Sequence, residues 1–365
     1  MKRFIFLLFF LFLTVIPSFA TEDIILPSAK GKILNVEYFE QNDEAFQVKQ
    51  IAEILIKSGE YKDNIIKVDN VLSGNPFYDI TLKKGLNVIL HVEIINGEVD
   101  FAIENIERAN ILLFLALIFG SLLIFVGRKK GIFSFLSILL TSILVFKILS
   151  FMILKGFEPI TGTIIVSLLS TAITIYLVAG FNKKSTSAII GCLLSLICAI
   201  FLSFLTVKLA HLTGFSNEYS IFLYASNPEL NYISITISTM ILATLGAVMD
   251  IAISIASTIN EIYTIDNSKT FKELFNSGMN VGKDIIGTMA NTLILVYLGS
   301  SLPLILLTSN IDMQKFVNMN QIVTEIASAL IGSSAIIICV PITAFITSKL
   351  ITTITPKFII TNNKD

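Results

Sequence analysis

The chain has 365 residues and a mass of 40.2 kDa, and is 54% hydrophobic but only 15% charged, against ~25% charge in an ordinary soluble domain. Residues 21–108 carry 16 acidic and 9 basic side chains, net −7, whereas residues 109–365 carry 11 and 15, net +4. So charge-poor a remainder needs a bilayer as its solvent, which excludes a soluble enzyme, a disordered chain and a disulfide scaffold; no nucleic-acid partner is expected.

Residues 1–20, MKRFIFLLFFLFLTVIPSFA, have a basic start (Lys2, Arg3), an apolar core from Phe4 to Ile16, and small residues Ser18 and Ala20. This is the layout of a secretory signal peptide cut after Ala20. An uncleaved anchor is the alternative, although the apolar run falls short of the ~20 residues that span a bilayer and Pro17 interrupts it. Both readings place the chain from Thr21 onward outside the cytoplasm. Cys192, Cys198 and Cys339 all lie in apolar runs, so neither a disulfide framework nor a Cys-rich metal site is expected.

Residues 21–108 read as a small extracytoplasmic β-rich domain, a barrel or a sandwich. Strands are expected at Lys32–Tyr38, Gln47–Lys57, Asn64–Val71, Tyr78–Leu82, Asn87–Ile95 and Val99–Ile103, where β-branched residues cluster or alternate. Turns are expected at Ser58-Gly59, Ser73-Gly74-Asn75-Pro76, Lys84-Gly85 and Asn96-Gly97, the last a hairpin signal. A short helix is the alternative for Gln47–Lys57. His91 reads as structural.

From residue 109 to 356 the pattern becomes a mainly α, seven-helix transmembrane bundle, with a cytoplasmic tail at 357–365. Spans are expected at 109–127, 132–154, 159–180, 187–210, 232–257, 284–307 and 326–348. Helix is required, because lipid leaves the backbone of an isolated strand unpaired. Pro341 predicts a kink and not a break. With residues 21–108 outside, eleven Lys and Arg of the membrane part fall in inward segments and three (Lys155, Lys208, Lys315) in outward ones. That agrees with the positive-inside rule and puts the carboxyl terminus in the cytoplasm. Lys147 snorkels from within its span, and Lys208 with His211 reads as an interfacial anchor.

The informative stretch is 246–303. Asp250 lies inside a span, and Ser254, Ser257 and Glu261 follow at +4, +7 and +11 on one helical face. Asp284, Thr288 and Asn291 form a second such stripe, with Thr292 beside them. Counted from the expected helix ends, Asp250 and Asn291 both lie roughly 12 Å deep, so they are expected to face each other in the bundle interior. Asp250, Ser254, Thr288 and Asn291 are therefore the candidate substrate- or ion-binding residues, with Glu261 and Asp284 as a cytoplasmic vestibule. The alternative is a structural clamp between helices. Small residues, among them Gly246, Gly278, Gly282 and Gly287, would let the helices approach closely. Gly299-Ser300-Ser301 before Pro303 reads either as an unwound, carbonyl-exposing helix end or as an ordinary interfacial bend.

The segments GAVMDIAISIAS, Glu261, NSGMNVGKDIIGTMANTL and YLGSSLP, in that order and spacing, resemble the YibE/F-like family of multi-pass bacterial membrane proteins. The likeness extends to the layout: a signal, a small exported domain and seven helices. It implies a membrane-transport type of protein whose substrate is unassigned, and it carries over no catalytic residues.

The leading expectation is a transporter or permease of unknown substrate acting through the polar site between the fifth and sixth helices. The second is a non-transporting scaffold or sensor whose exported domain binds a cell-envelope partner. An enzyme is not expected: no H-E-x-x-H motif occurs, and Asp284, placed at a helix end, is too far in depth from Asp250 for a shared-proton dyad. Neither a cofactor nor a nucleotide-binding loop is expected. Partners would be the lipid bilayer, a small ion or solute, and a membrane subunit or cell-envelope protein.

Overall fold

The computed structural model describes residues 28–40, 48–75, 78–95, 98–306 and 311–354. The expected signal peptide, the Asn96-Gly97 turn and the tail at 357–365 lie outside the described residues. The chain divides into two compact units, residues 1–118 and 119–365.

Five strands make the first unit: β1 (Ala29–Glu40), β2 (Val48–Ile56), β3 (Ile65–Leu72), β4 (Asn87–Ile95) and β5 (Glu98–Ile106). They form one antiparallel sheet in the order β3-β2-β1-β4-β5. Its outer strands β3 and β5 come into contact, so the sheet curls into a near-barrel. Bulges between Ile33 and Asn35 and between Ile89 and Leu90 accompany the curl. Strand β2 settles the helix-or-strand choice: Ala52, Ile54 and Ile56 are fully buried, while Ile51, Glu53 and Leu55 point to the other face. A period of two fits only a strand. Ile33, Val68, Val88 and Leu90 complete the core.

The sixth expected strand, Tyr78–Leu82, is absent. Side chains satisfy its backbone instead of a ladder. The Gln50 Oε1 accepts from Leu82 N at 3.1 Å and from Asn70 Nδ2 at 2.9 Å. Asn70 also donates to the Ile80 carbonyl at 2.7 Å, and the Tyr38 hydroxyl donates to the Leu82 carbonyl at 3.1 Å. The segment thereby plugs the barrel with a fully buried Leu82.

The helical elements are α1 (Ala109–Ile143), a π-helical turn (Leu144–Leu149), α2 (Ser150–Leu154), α3 (Pro159–Ala179), α4 (Lys183–Leu209), α5 (Glu218–Ser226), α6 (Tyr232–Ile265), α7 (Phe271–Ser300), α8 (Leu302–Leu306), α9 (Met313–Val317) and α10 (Asn320–Ile354). Among the described residues, six continuous helices are long and apolar enough to cross a membrane, the first being Ala109–Leu154. That first helix is folded on itself. Arg128 has φ 50° and ψ −127°, and a Cβ on Gly120 would stand 3.0 Å from the ring of Phe135, fifteen residues further on. A straight helix would separate these two by roughly 22 Å. Gly131, packed against the Leu123 carbonyl, lets the two arms meet at the reversal. The arms correspond to the expected spans 109–127 and 132–154, which resolves the difference between six helices and seven crossings.

Helices α4, α6 and α10 pack mutually, with α7 against α10 and α6 and with α3 against α6. Their core holds Cys192, Ile241, Val248, Ile255, Ile336, Cys339 and Val340, and all three thiols are free. Helix α10 runs on through Pro341, as lipid-embedded helices allow.

Candidate functional site

Local sequence sets both site helices. Asn231 caps α6, its side chain accepting from Ser234 N at 3.1 Å. A capping box starts α7: Thr270 N donates to the Glu273 carboxylate at 2.8 Å, and Glu273 N donates back to the Thr270 hydroxyl at 3.4 Å. Between them runs only the link Asp266–Thr270, where the Ser268 hydroxyl and backbone N–H hold the Asp266 carboxyl below the usual carboxylate range.

Small residues then fix how the two helices lie. Gly278 sits against Ile259, and Gly282 against Ile255 and Val340, so α6 and α7 are antiparallel and close. Further along, Gly332 of α10 touches Thr244 of α6 and Leu293 of α7. The three levels Ile259–Gly278, Ile255–Gly282 and Thr244–Leu293 share one register, which places Asp250 level with Gly287, Ser254 with Lys283 and Gly246 with Asn291.

This register corrects the depth argument drawn from sequence. Asn291 lies about four residues, or ~6 Å, beyond the level of Asp250. Asp284, expected at a helix end, lies nearly four turns into α7 and within ~4.5 Å of the Asp250 level. The cause is helix length: most of the expected loop 258–283 is helical, extending α6 by eight residues and α7 by thirteen. Glu261 is level with Asn276, nearest the link of the six candidates.

Burial corrects a second expectation. Asp250, Ser254, Glu261, Asp284, Thr288 and Asn291 all lie on exposed faces and not in the bundle interior. Around Gly246 and Gly287 nothing stands within 4 Å of where a Cβ would be, so both helices present open faces at this level. Hydroxyls bond within their own helix: Thr288 donates to the Ile285 carbonyl at 2.9 Å, and Thr292 to the Thr288 carbonyl at 2.8 Å. Among the described residues, no hydrogen bond or ion pair engages the side chains of Asp250, Lys283, Asp284 or Asn291.

Along the shared register, Asp250 and Ser254 of α6 stand at levels within about a turn of those of Lys283, Asp284 and Thr288 of α7. Lys283 lies between the expected spans and so is not among the sequence candidates; the unbroken stripe Asn276, Asn280, Lys283, Asp284, Gly287, Thr288, Asn291 at helical spacing is the signal that finds it. Chemically, a carboxylate pair, an ammonium and hydroxyls offer reversible ion and proton exchange. Among the described residues no three His, Cys, Asp or Glu side chains converge as metal ligands.

The layout of near-barrel and helical bundle has counterparts in known families. The model described as YibE/F-like protein matches residues 115–353, and the one described as YibE/F family N-terminal domain matches residues 28–106. No curated protein and no solved structure gives a significant match. With both parts matched over most of its length, the chain belongs to the YibE/F family of membrane proteins.

Proposed function

We propose that this integral membrane protein is a transporter or permease for a small ion or solute, working along the seam of α6 and α7. One observation carries the reading: the charged side chains Asp250, Lys283 and Asp284 stand exposed, without a side-chain partner among the described residues, at mid-helix on two adjacent helices long and apolar enough to cross a membrane. An ionised carboxylate facing hydrocarbon costs several kcal/mol, and such residues line water-filled paths or protein interfaces. Asp250 is the exchanging group, Lys283 and Asp284 tune its charge, and Ser254, Thr288 and Asn291 supply neutral donors and acceptors. Glu261 lies towards the mouth. In this reading the β unit is exported behind a signal peptide, the carboxyl terminus is cytoplasmic, and the chain is not an enzyme.

Purified protein in proteoliposomes, assayed for flux of protons and a panel of ions and small solutes, tests the proposal. Asp250→Asn should lower flux at least tenfold while leaving protein yield unchanged. Equal flux through both proteins would make the seam structural.

A specific observation favours a second reading. Because the seam is open to the outside of the single chain, a second copy or another membrane subunit has room to cover it, and the protein would then serve as a scaffold or sensor for that partner. The exposed aromatic residues Tyr38, Phe39 and Tyr78 of the β unit offer a surface for a cell-envelope ligand in the same reading. Labelling residues 181–186 with an impermeant reagent from outside intact cells would overturn the orientation common to both readings.

A further inference from the structure

Between α4 and α6 the chain forms α5, a nine-residue helix about 14 Å long and so too short to cross a bilayer. Aromatic rings hold it at the level where α6 begins. Phe215 stacks on Tyr232, the first residue of α6, with centroids 5.0 Å apart, and Tyr224 meets these two rings edge-on at 5.5 and 5.6 Å. The Tyr232 hydroxyl donates to the Asn227 carbonyl at 2.9 Å, which ties the far end of α5 to the same residue. The segment leading into α5 is fixed as well: Asn320 donates to the Phe215 carbonyl at 2.8 Å, and Thr236 to the Gly214 carbonyl at 3.2 Å.

The rest of α5 is apolar and uncovered. Tyr219, Ile221, Phe222 and Tyr224 are 80%, 59%, 70% and 47% exposed, and at about 100° per residue they are spread around the whole circumference of the helix. From Asn217 to Asn231 there is no Lys or Arg, and the two carboxylates, Glu218 and Glu229, stand at the first residue of α5 and beyond its end. A helix that is apolar on all sides belongs in an apolar medium, and one of nine residues is too short to persist by itself in water. A protein partner would cover one face and leave the others wet, whereas lipid surrounds the helix. The apolar outer surface of α4, through Phe201, Phe204 and Leu209, leads up to the same level, because Gly214, just past the end of α4, lies against the Tyr232 backbone. Tyrosine, with an apolar ring and a polar tip, suits the boundary between headgroups and acyl chains.

We propose that α5 is embedded in the bilayer at that boundary, with Ile221 and Phe222 in contact with acyl chains and the tyrosine hydroxyls reaching the headgroups. The partner of this surface is lipid, and the helix anchors the start of α6 at the membrane interface. The proposal does not rest on transport along the α6–α7 seam.

The chain contains no tryptophan, so a single introduced indole reports its own surroundings. Full-length Phe222→Trp in nanodiscs is compared with Phe201→Trp on the lipid-facing side of α4 and with Ile265→Trp, 86% exposed beside the Asp266–Thr270 link. Phosphatidylcholine brominated near the glycerol end of its acyl chains should quench Phe222→Trp within about twofold of Phe201→Trp, and aqueous iodide should quench it several-fold less than Ile265→Trp. Either a weaker bromine effect or iodide quenching equal to that of Ile265→Trp overturns the proposal. The second result puts the helix in water, and failure of both quenchers means that a protein surface, such as a second copy of the chain, covers it. Tyr219→Trp is read in the same way and serves where Phe222→Trp fails to fold.

Discussion

The two units solve the burial problem in opposite directions. In the β unit the interior is mainly aliphatic around Ile33, Ile54 and Leu90, with Gln50 its fully buried polar member, and the outside carries cross-strand ion pairs such as Lys49–Asp69 at 2.6 Å and Lys67–Glu53 at 3.3 Å. The helical unit reverses this. Its outside shows Leu122, Phe125, Phe146, Ile197 and Phe201, whereas hydroxyls such as Thr171, Ser195 and Thr244 are fully buried and donate to their own helix at 2.7–2.8 Å. Water repels apolar surface and lipid accepts it, so helices in a bilayer spend small polar residues on close mutual packing. Against that pattern the outward stripe of α6 and α7 is the exception, because a lipid-facing surface has no use for Asp250, Lys283, Asp284 and Asn291.

Breaking each interior should give the largest effects. Ile54→Ala removes a fully buried side chain from the β core, and a loss of about 2–5 kcal/mol is expected, read by denaturant unfolding of residues 28–106. That segment alone should show a strand-dominated circular dichroism spectrum and cooperative unfolding. In the helical unit, Gly191→Ala drives a Cβ against Thr343, 3.1 Å from its Cα. Overpacking of this kind costs about 1–3 kcal/mol, visible as a lowered thermal midpoint in detergent. Gly246→Ala sharpens the contrast: with open space beyond it, the substitution should leave stability unchanged or raise it by up to ~1 kcal/mol through helix propensity, so the midpoint should not fall. A destabilising Gly246→Ala would mean that something already covers the seam.

The smallest expected effect is one of pH. In the β unit the Asp79 carboxylate accepts from Ser73 N at 2.7 Å and from the Ser73 hydroxyl at 2.9 Å, and the backbone N–H foremost holds its carboxyl below the usual range. A depressed folded-state value contributes stability above the unfolded pKa and loses it as pH falls through the folded one. Unfolding midpoints of residues 28–106 should therefore drop on acidification below about pH 4, and Asp79→Asn should remove part of that dependence. An identical pH profile in the variant would refute this role.

These comparisons also explain what was legible in the sequence. Strands β1 to β5 and the apolar spans announce themselves through period and length, because burial alone sets them. Tyr78–Leu82 has strand-like residues but takes its hydrogen bonds from Gln50, Asn70 and Tyr38, partners far away in sequence. Residues 258–283 read as a loop because they are polar; all but the link Asp266–Thr270 are helix because one face, through Ile259, Leu274, Gly278 and Gly282, is buried, while the other is the seam. The candidate residues were visible as stripes, but their depth and exposure depended on where two helices end, which a capping box at Thr270 decides and hydropathy does not.

A polar, water-accessible path along the α6–α7 seam would expose its side chains to water-borne reagents within the membrane. Substituting the three native cysteines and introducing Ser254→Cys on the seam or Ile197→Cys on the lipid-facing side of α4 allows the rates of labelling by a charged, membrane-impermeant thiol reagent to be compared in intact membranes. Ser254→Cys should react within about tenfold of a loop-cysteine control while Ile197→Cys stays unlabelled. Equal inertness of the two positions would contradict it.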